Sequence, residues 1–208
     1  MQPSVVRSYT FETTGEHTVK YTLVDPTTID DSAFYDCKEL VEITIPNSVT
    51  SISNGAFYGC SGLTSITIPS GVTTIGRGSF QACSGLTSVT IPNSVTSIDN
   101  SAFMNCSSLA SVTIGSGVTS IGERTFKNCS SLTSIIIPDN ITSIMSYAFE
   151  DCSGLTSITT LAATPPTLNT SPFYNTNNCP IYVPAASVEA YKAAWTNYTS
   201  RIQAIPTT

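Results

Sequence analysis

The stretch "AFYGCSGLTSITIPSGVTTIG", residues 56–76, decides the fold, because with small changes it returns every 23 residues along most of the chain. Written in 23-residue rows, the sequence falls into columns. Phe34, Phe57, Phe80, Phe103, Phe126 and Phe149 share one, and Cys37, Cys60, Cys83, Cys106, Cys129 and Cys152 another. Leu40, Leu63, Leu86, Leu109, Leu132 and Leu155 form a third. Further aliphatic columns run through Ile66, Ile68, Val72 and Ile75 and their equivalents in the other rows.

Six rows without an insertion, with an L-x-x-L-x-L-like core at a period of about 20–29 residues, predict a leucine-rich-repeat solenoid. One row cannot stand alone. It offers about eight apolar side chains, each contributing roughly 1.5–3 kcal/mol when fully buried. Ordering its backbone costs roughly 1–2 kcal/mol for each residue. Stacking makes the core continuous from row to row and adds hydrogen bonds between coils, so the array is stable where the unit is not.

Within a row, "LTSITIP" reads as a strand: Ile66 and Ile68 point inward, and Ser65 and Thr67 outward, on the two-residue period. Leu63 packs at a corner. Pro69, with no N–H to donate, ends the strand, and "SG" or "NS" turns the chain. "VTTI" is a second short extended piece that sends Val72 and Ile75 inward. "GSFQAC" and its equivalents are expected to form a tight helical turn that buries Phe80 and Cys83. At about 4.8 Å per coil, six coils make a stack of roughly 30 Å.

The ends differ from the middle, as open strand edges require. Residues 1–28 are expected to be a capping hairpin, in which Tyr9, Phe11, Val19, Tyr21 and Leu23 alternate with polar residues around Gly15. Residues 29–166 hold the six repeats. Residues 167–208 make the C-terminal cap. The pattern fails at Thr160 and Leu161, "ATPPTLNTSPF" reads as an irregular connector, and "IYVP" as a last strand. Val188, Tyr191, Trp195, Tyr198 and Ile202 follow at spacings of three and four, predicting an amphipathic helix from about Ser187 that closes the final coil.

Composition narrows the function. The chain of 208 residues has a net charge of −6 and only 11% charged residues. It lacks the basic footprint that phosphate backbones and anionic lipids demand, and no apolar run approaches the ~20 residues of a membrane span. "MQPSVVRSYT" has no apolar core of a signal peptide, which leaves a cytosolic protein or one whose export signal has been removed.

No catalytic or metal-binding constellation assembles in the sequence. The cysteines stand 23 apart, not in the close pairs of a metal site, and parallel stacking would strain a disulfide ladder. Each thiol is expected to be a small buried hydrophobe. Cys179 lies outside the column, and its pairing stays open. His17, the single histidine, has no recognisable nucleophile or acid partner. Asp25, Asp30, Asp31 and Asp36 cluster without the alternation of a calcium loop and read as a solvated acidic edge. Thr44, Thr67, Thr90, Thr113 and Thr159, broken by Ile136, form an outward ladder beside Ser65, Ser88, Ser111, Ser134 and Ser157. Such a ladder could serve a repetitive ligand such as a glycan or ice, or simply reflect the strand preference of Thr. Chemical variety sits in the turns. The position after Phe holds Tyr35, Tyr58, Gln81, Met104, Lys127 and Glu150. Two before it stand Ser32, Gly55, Gly78, Ser101, Arg124 and Tyr147. Such variety fits either a distinctive binding surface or the drift of exposed turns. Tyr and Arg are favoured in binding hot spots, and a partner is expected to meet Tyr58, Met104, Arg124, Lys127, Tyr147 and Glu150.

The row "AFxxCSGLTSITIPxxVTxIG", the opening "HTVKYTL" with the following "TTID", and the closing "CPIYVPAASVEAYKAAWTNYTSRIQAIP" resemble the BspA-like, or Treponema-type, leucine-rich-repeat family of surface proteins of host-associated bacteria. The resemblance spans Tyr9 to Pro206, with Gly115 in place of a strand-end proline and Ser79 and Thr125 in place of the small Ala. It implies an exported, surface-attached or secreted binding module, monomeric, without cofactor or catalytic residues. It also favours removal of an export signal over a cytosolic protein. Members have been linked to adhesion to host matrix proteins such as fibronectin and fibrinogen and to other bacteria. The alternatives are a structural spacer within a larger surface protein, or glycan binding through the Thr/Ser ladder.

Overall fold

The computed structural model describes residues 26–207. The expected N-terminal hairpin, with His17 and Asp25, lies outside them. The chain winds a right-to-left succession of parallel ladders into about eight coils. One ladder joins Thr28–Ile29, Ser51–Ile52, Thr74–Ile75 and Ser97–Ile98 in strict 23-residue register. It resumes through Ser120–Ile121, Ser143–Ile144 and Thr167–Leu168. The "LTSIT" face pairs Ser88–Thr90 with Ser111–Thr113. It also pairs Ser134–Ile137 with Ser157–Thr160, then Ile181–Val183, then Ile202–Ala204.

Between the ladders lies the predicted core. Phe57, Phe80, Phe103, Phe126 and Phe149 are fully buried, as are Leu63, Leu86, Leu109, Leu132 and Leu155. Because the register never slips, the Phe rings stack nearly parallel, at 5.1–5.5 Å between centroids from Phe34 to Phe149. Such pairs contribute about 0.5–1.5 kcal/mol beyond the area they bury.

The "GSFQAC" segments, expected as tight helical turns, form turns whose hand changes twice. The residues two before and two after each Phe have positive φ: 61° at Ser101 and 63° at Asn105 around Phe103. A continuous helix would spend its N–H groups inside the segment. Here alternate N–H groups are thrown outward to the next coil, Ser101 to Glu123 O, Phe103 to Thr125 O and Asn105 to Lys127 O, at 2.8–2.9 Å. A third inter-coil ladder results.

Five thiols of the Cys column behave as buried hydrophobes with a weak donor. Each of Cys60, Cys83, Cys106, Cys129 and Cys152 donates to the Phe carbonyl 26 residues before it, at 3.0–3.3 Å. Burial pushes the thiols of Cys60, Cys106 and Cys152 up to about 12. Cys37 departs from the expectation: it is exposed, and position 11, one row earlier, lies outside the described residues. A thiol reagent at pH 8 should therefore label Cys37 in the native protein and leave those five untouched, with all seven cysteines labelled in denaturant. Rapid native labelling of any of the five, mapped by peptide mass, would overturn the buried column.

The C-terminal region corrects two expectations. "ATPPTLNTSPF" is no irregular connector. Leu168 pairs with Ile144, Phe173 stacks on Phe149 at 5.7 Å, and Ile181 pairs with Ile158, so the segment makes a further coil. There Thr176 stands three residues after Phe173, in the Cys position, and Cys179 takes the Leu position, buried. The closing helix is also shorter than predicted. It spans Val188–Ala194, followed by a 3-10 segment Thr196–Arg201. Trp195, at φ −107° and ψ 58°, takes the backbone out of the helix, and Ile202 rejoins the parallel ladder beside Ile181.

The cap residues do two jobs at once. Ser187 Oγ donates to Ala163 O, Tyr191 Oη to Ala162 O and Trp195 Nε1 to Pro166 O, at 2.7–2.8 Å. Tyr191 and Trp195 thus bury an apolar body while their polar tips satisfy backbone acceptors of the last coil. Arg201, 9% exposed, inserts its guanidinium under the end. Its Nε donates to Cys179 O at 2.8 Å and its Nη2 to Thr176 Oγ1 at 2.9 Å, and the group lies 5.5 Å from the Tyr198 ring centroid.

Candidate binding surface

The third ladder carries the chemically varied side chains along one edge of the solenoid. The position two before Phe has φ between 47° and 61° in all seven turns, occupied by Ser32, Gly55, Gly78, Ser101, Arg124, Tyr147 and Ser171. Glycine adopts this left-handed region freely, whereas a bulky side chain there costs on the order of 1 kcal/mol or more. Two neighbouring coils nonetheless place large residues in it, Arg124 at 54° and Tyr147 at 59°.

Those two side chains meet. The Arg124 guanidinium lies 5.4 Å from the Tyr147 ring centroid, with Lys127 Nζ at 6.0 Å from the same ring. Arg124 also pairs with Glu123 at 2.7 Å. Lys127 pairs with Glu150 one coil on, both side chains largely shielded. The structure thus brings together four of the six residues expected to bind: Arg124, Lys127, Tyr147 and Glu150. Met104 precedes Lys127 in the same column. Tyr58 belongs elsewhere, stacked on Tyr35 at 4.7 Å and 4° near the other end.

A flanking polar column escaped the sequence reading. Two after Phe, Asn128 Nδ2 donates to Asn105 Oδ1 at 2.7 Å, and Asn175 Nδ2 to Asp151 Oδ1 at 2.8 Å. The signal was present: this column changes from Gly59 and Ala82 to Asn105, Asn128 and Asp151 along the chain. On the acidic first row, Asp31 Oδ1 accepts the Asn54 N–H and Asp36 pairs with Lys38.

The structure separates the threonines by role. Thr64, Thr87, Thr133 and Thr156 each bond a carbonyl of the preceding coil, as do Thr50, Thr73, Thr96 and Thr142. These columns stitch coils together. Thr67, Thr90 and Thr113 stand exposed on the strand face instead, with Ile136 58% exposed in their line.

A sequence profile described as "BspA type Leucine rich repeat region (6 copies)" matches residues 5–132 and 119–205. The chain belongs to the BspA-type leucine-rich-repeat family. Solved structures of similar fold come from bacteria. A leucine-rich-repeat protein of T. pallidum is 26% identical with a TM-score of 0.61, over 76% of this chain and 81% of that one. A leucine rich cell surface protein of Faecalibacterium prausnitzii is 28% identical with a TM-score of 0.56, over 81% of this chain and 60% of its own. A leucine-rich-repeat protein of Bacteroides ovatus shares the fold at 24% identity and a TM-score of 0.50, over 76% of this chain and 58% of its own. The BspA-type chain therefore spans about three fifths of the last two relatives. No match is found among curated proteins. Among the described residues, no helix is long and apolar enough to cross a membrane.

Proposed function

We propose that this BspA-type solenoid is a non-catalytic binding module displayed at a bacterial surface. It recognises a host matrix or cell-surface protein through the turn edge centred on Arg124, Lys127, Tyr147 and Glu150, with Met104 at its margin. Residues 29–166 supply the repeats, flanked by capping segments, and the module acts as a monomer. The observation that carries this reading is the pair of large side chains held in left-handed backbone, Arg124 and Tyr147, packed on one another. The fold itself does not need them, since Gly55 and Gly78 fill the same position in other coils. Retained strain of this kind is characteristic of functional surfaces, and Arg and Tyr are the residue types that anchor protein interfaces.

The test separates binding from stability. In Arg124→Gly/Tyr147→Gly, glycine relieves the left-handed strain, so the unfolding free energy should stay level or rise by up to about 1–2 kcal/mol. Binding to an immobilised panel of host matrix and cell-surface proteins should weaken at least about tenfold, the loss of one hot-spot contact. Saturable binding that survives the double substitution would remove the edge from the site. Binding lost instead on replacing Thr90 and Thr113 by Glu would assign it to the strand face, where a glycan could use the exposed hydroxyls. A panel with no binding would favour a spacer role.

A further inference from the structure

The third ladder ends unfinished. In each coil the N–H groups two before Phe, of Phe, and two after Phe donate to carbonyls of the next coil: Tyr147 to Thr170 O, Phe149 to Pro172 O and Asp151 to Tyr174 O, at 2.8–3.0 Å. In the last coil the corresponding donors are Ser171, Phe173 and Asn175. Phe173 N–H reaches Tyr198 Oη at 3.4 Å. The N–H groups of Ser171 and Asn175 make no hydrogen bond among the described residues. Above Ser171, where the carbonyl of a further coil would sit, lies a cavity of about 130 Å³. Leu168, Asn169 and Pro172 line it from the coil, and Trp195, Asn197 and Tyr198 from the cap.

The chemistry of this notch is that of a neutral acceptor site. An unused backbone N–H is a strong donor aimed by the ladder. Tyr198 Oη, which accepts from Phe173, keeps its own proton to donate. Asn169 and Asn197 offer amides, and Leu168, Pro172 and Trp195 offer apolar surface. No Lys or Arg lines the cavity, and the chain carries a net charge of −6, so an anion gains nothing there. The volume fits a small carbonyl-bearing group with a methyl, not a whole sugar or peptide.

We propose that the notch between the last coil and the cap binds an acetamido group, its carbonyl accepting from Ser171 N–H and its methyl lying toward the Trp195 and Leu168 side. The hydroxyl and amide rim of Ser171, Thr196 and Asn197 favours an N-acetylated amino sugar as the source over an acetylated peptide. The site lies at the capped end, and its loading does not depend on the Arg124–Tyr147 edge.

Titration of the protein with tri-N-acetylchitotriose, followed by the amide shift of Ser171 in proton–nitrogen NMR spectra and by fluorescence of Trp195, the single tryptophan, tests this. Ser171 should shift saturably, and cellotriose, which lacks the acetamido groups, should bind at least about tenfold more weakly, the worth of a neutral hydrogen bond. Ala194→Phe, at an exposed lining position, should block the notch with an unchanged melting temperature, and Asn197→Leu should weaken binding. Equal response to cellotriose, tighter response to acetate ion or to N-acetylglycinamide, or an unmoved Ser171 amide at saturating sugar would each overturn the proposal.

Discussion

Phe103→Ala should lower the unfolding free energy by about 3–5 kcal/mol, the range for truncating a core aromatic. Phe103 is fully buried and stacks on both sides, 5.2 Å from Phe80 and 5.5 Å from Phe126. The gap cannot close, because Ser101, Phe103 and Asn105 are pinned to the next coil by three hydrogen bonds of 2.8–2.9 Å. The Cys129 thiol also donates to Phe103 O, so the backbone has little freedom to collapse inward. Denaturant unfolding followed by circular dichroism measures the loss. A solenoid propagates damage only through neighbouring coils, so amide exchange should accelerate most between roughly residues 80 and 126 before the ends respond. A loss under about 1 kcal/mol would mean that the Phe column contributes little beyond its area.

Arg201→Met should cost on the order of 3 kcal/mol. Methionine matches the length of the side chain but donates nothing, leaving Cys179 O and Thr176 Oγ1 buried without their donor. Each orphaned polar group costs roughly 1–3 kcal/mol. The Tyr198 ring also loses the cation packed near it, a contact worth about 0.5–2 kcal/mol. The same unfolding experiment reads the total, and exchange in Ile181–Val183 and Ile202–Ala204 should rise selectively. Arg201→Lys should recover only part of the loss, since an ammonium cannot reproduce the planar fork that reaches both acceptors. Full stability in Arg201→Met would show that the last coil closes without its arginine.

Much of the fold was legible because one row had to repeat. A fixed spacing of Phe, Cys, Leu and Ile names the inward positions of every coil at once, and the period gives the register. The parallel strands pair Ser51 with Thr74 and Ile135 with Ile158 for that reason. The turns were less legible. Residue identity at the left-handed positions ranges from Gly78 to Tyr147, so no side-chain preference marks them. The seventh coil was hidden because its landmarks change: Thr176 stands for Cys and Cys179 for Leu, with a spacing of 24 residues from Phe149 to Phe173. Of the candidate edge, the sequence identified the variable columns but could not say which members meet. Lys127 and Glu150 pair because they occupy the same column one coil apart. Tyr58 stands apart because Gln81 and Met104 separate it from that cluster.

The sequence by itself determined the solenoid, its period and the buried identity of nearly every apolar column, since stacking identical rows leaves one way to make a continuous core. Tertiary structure decided how the stack ends and which exposed side chains act together. Both depend on contacts between residues whose spacing is not the repeat: Arg201 with Cys179, Trp195 with Pro166, Arg124 with Tyr147. A periodic pattern fixes what is common to all coils, and such contacts are by nature what differs between them.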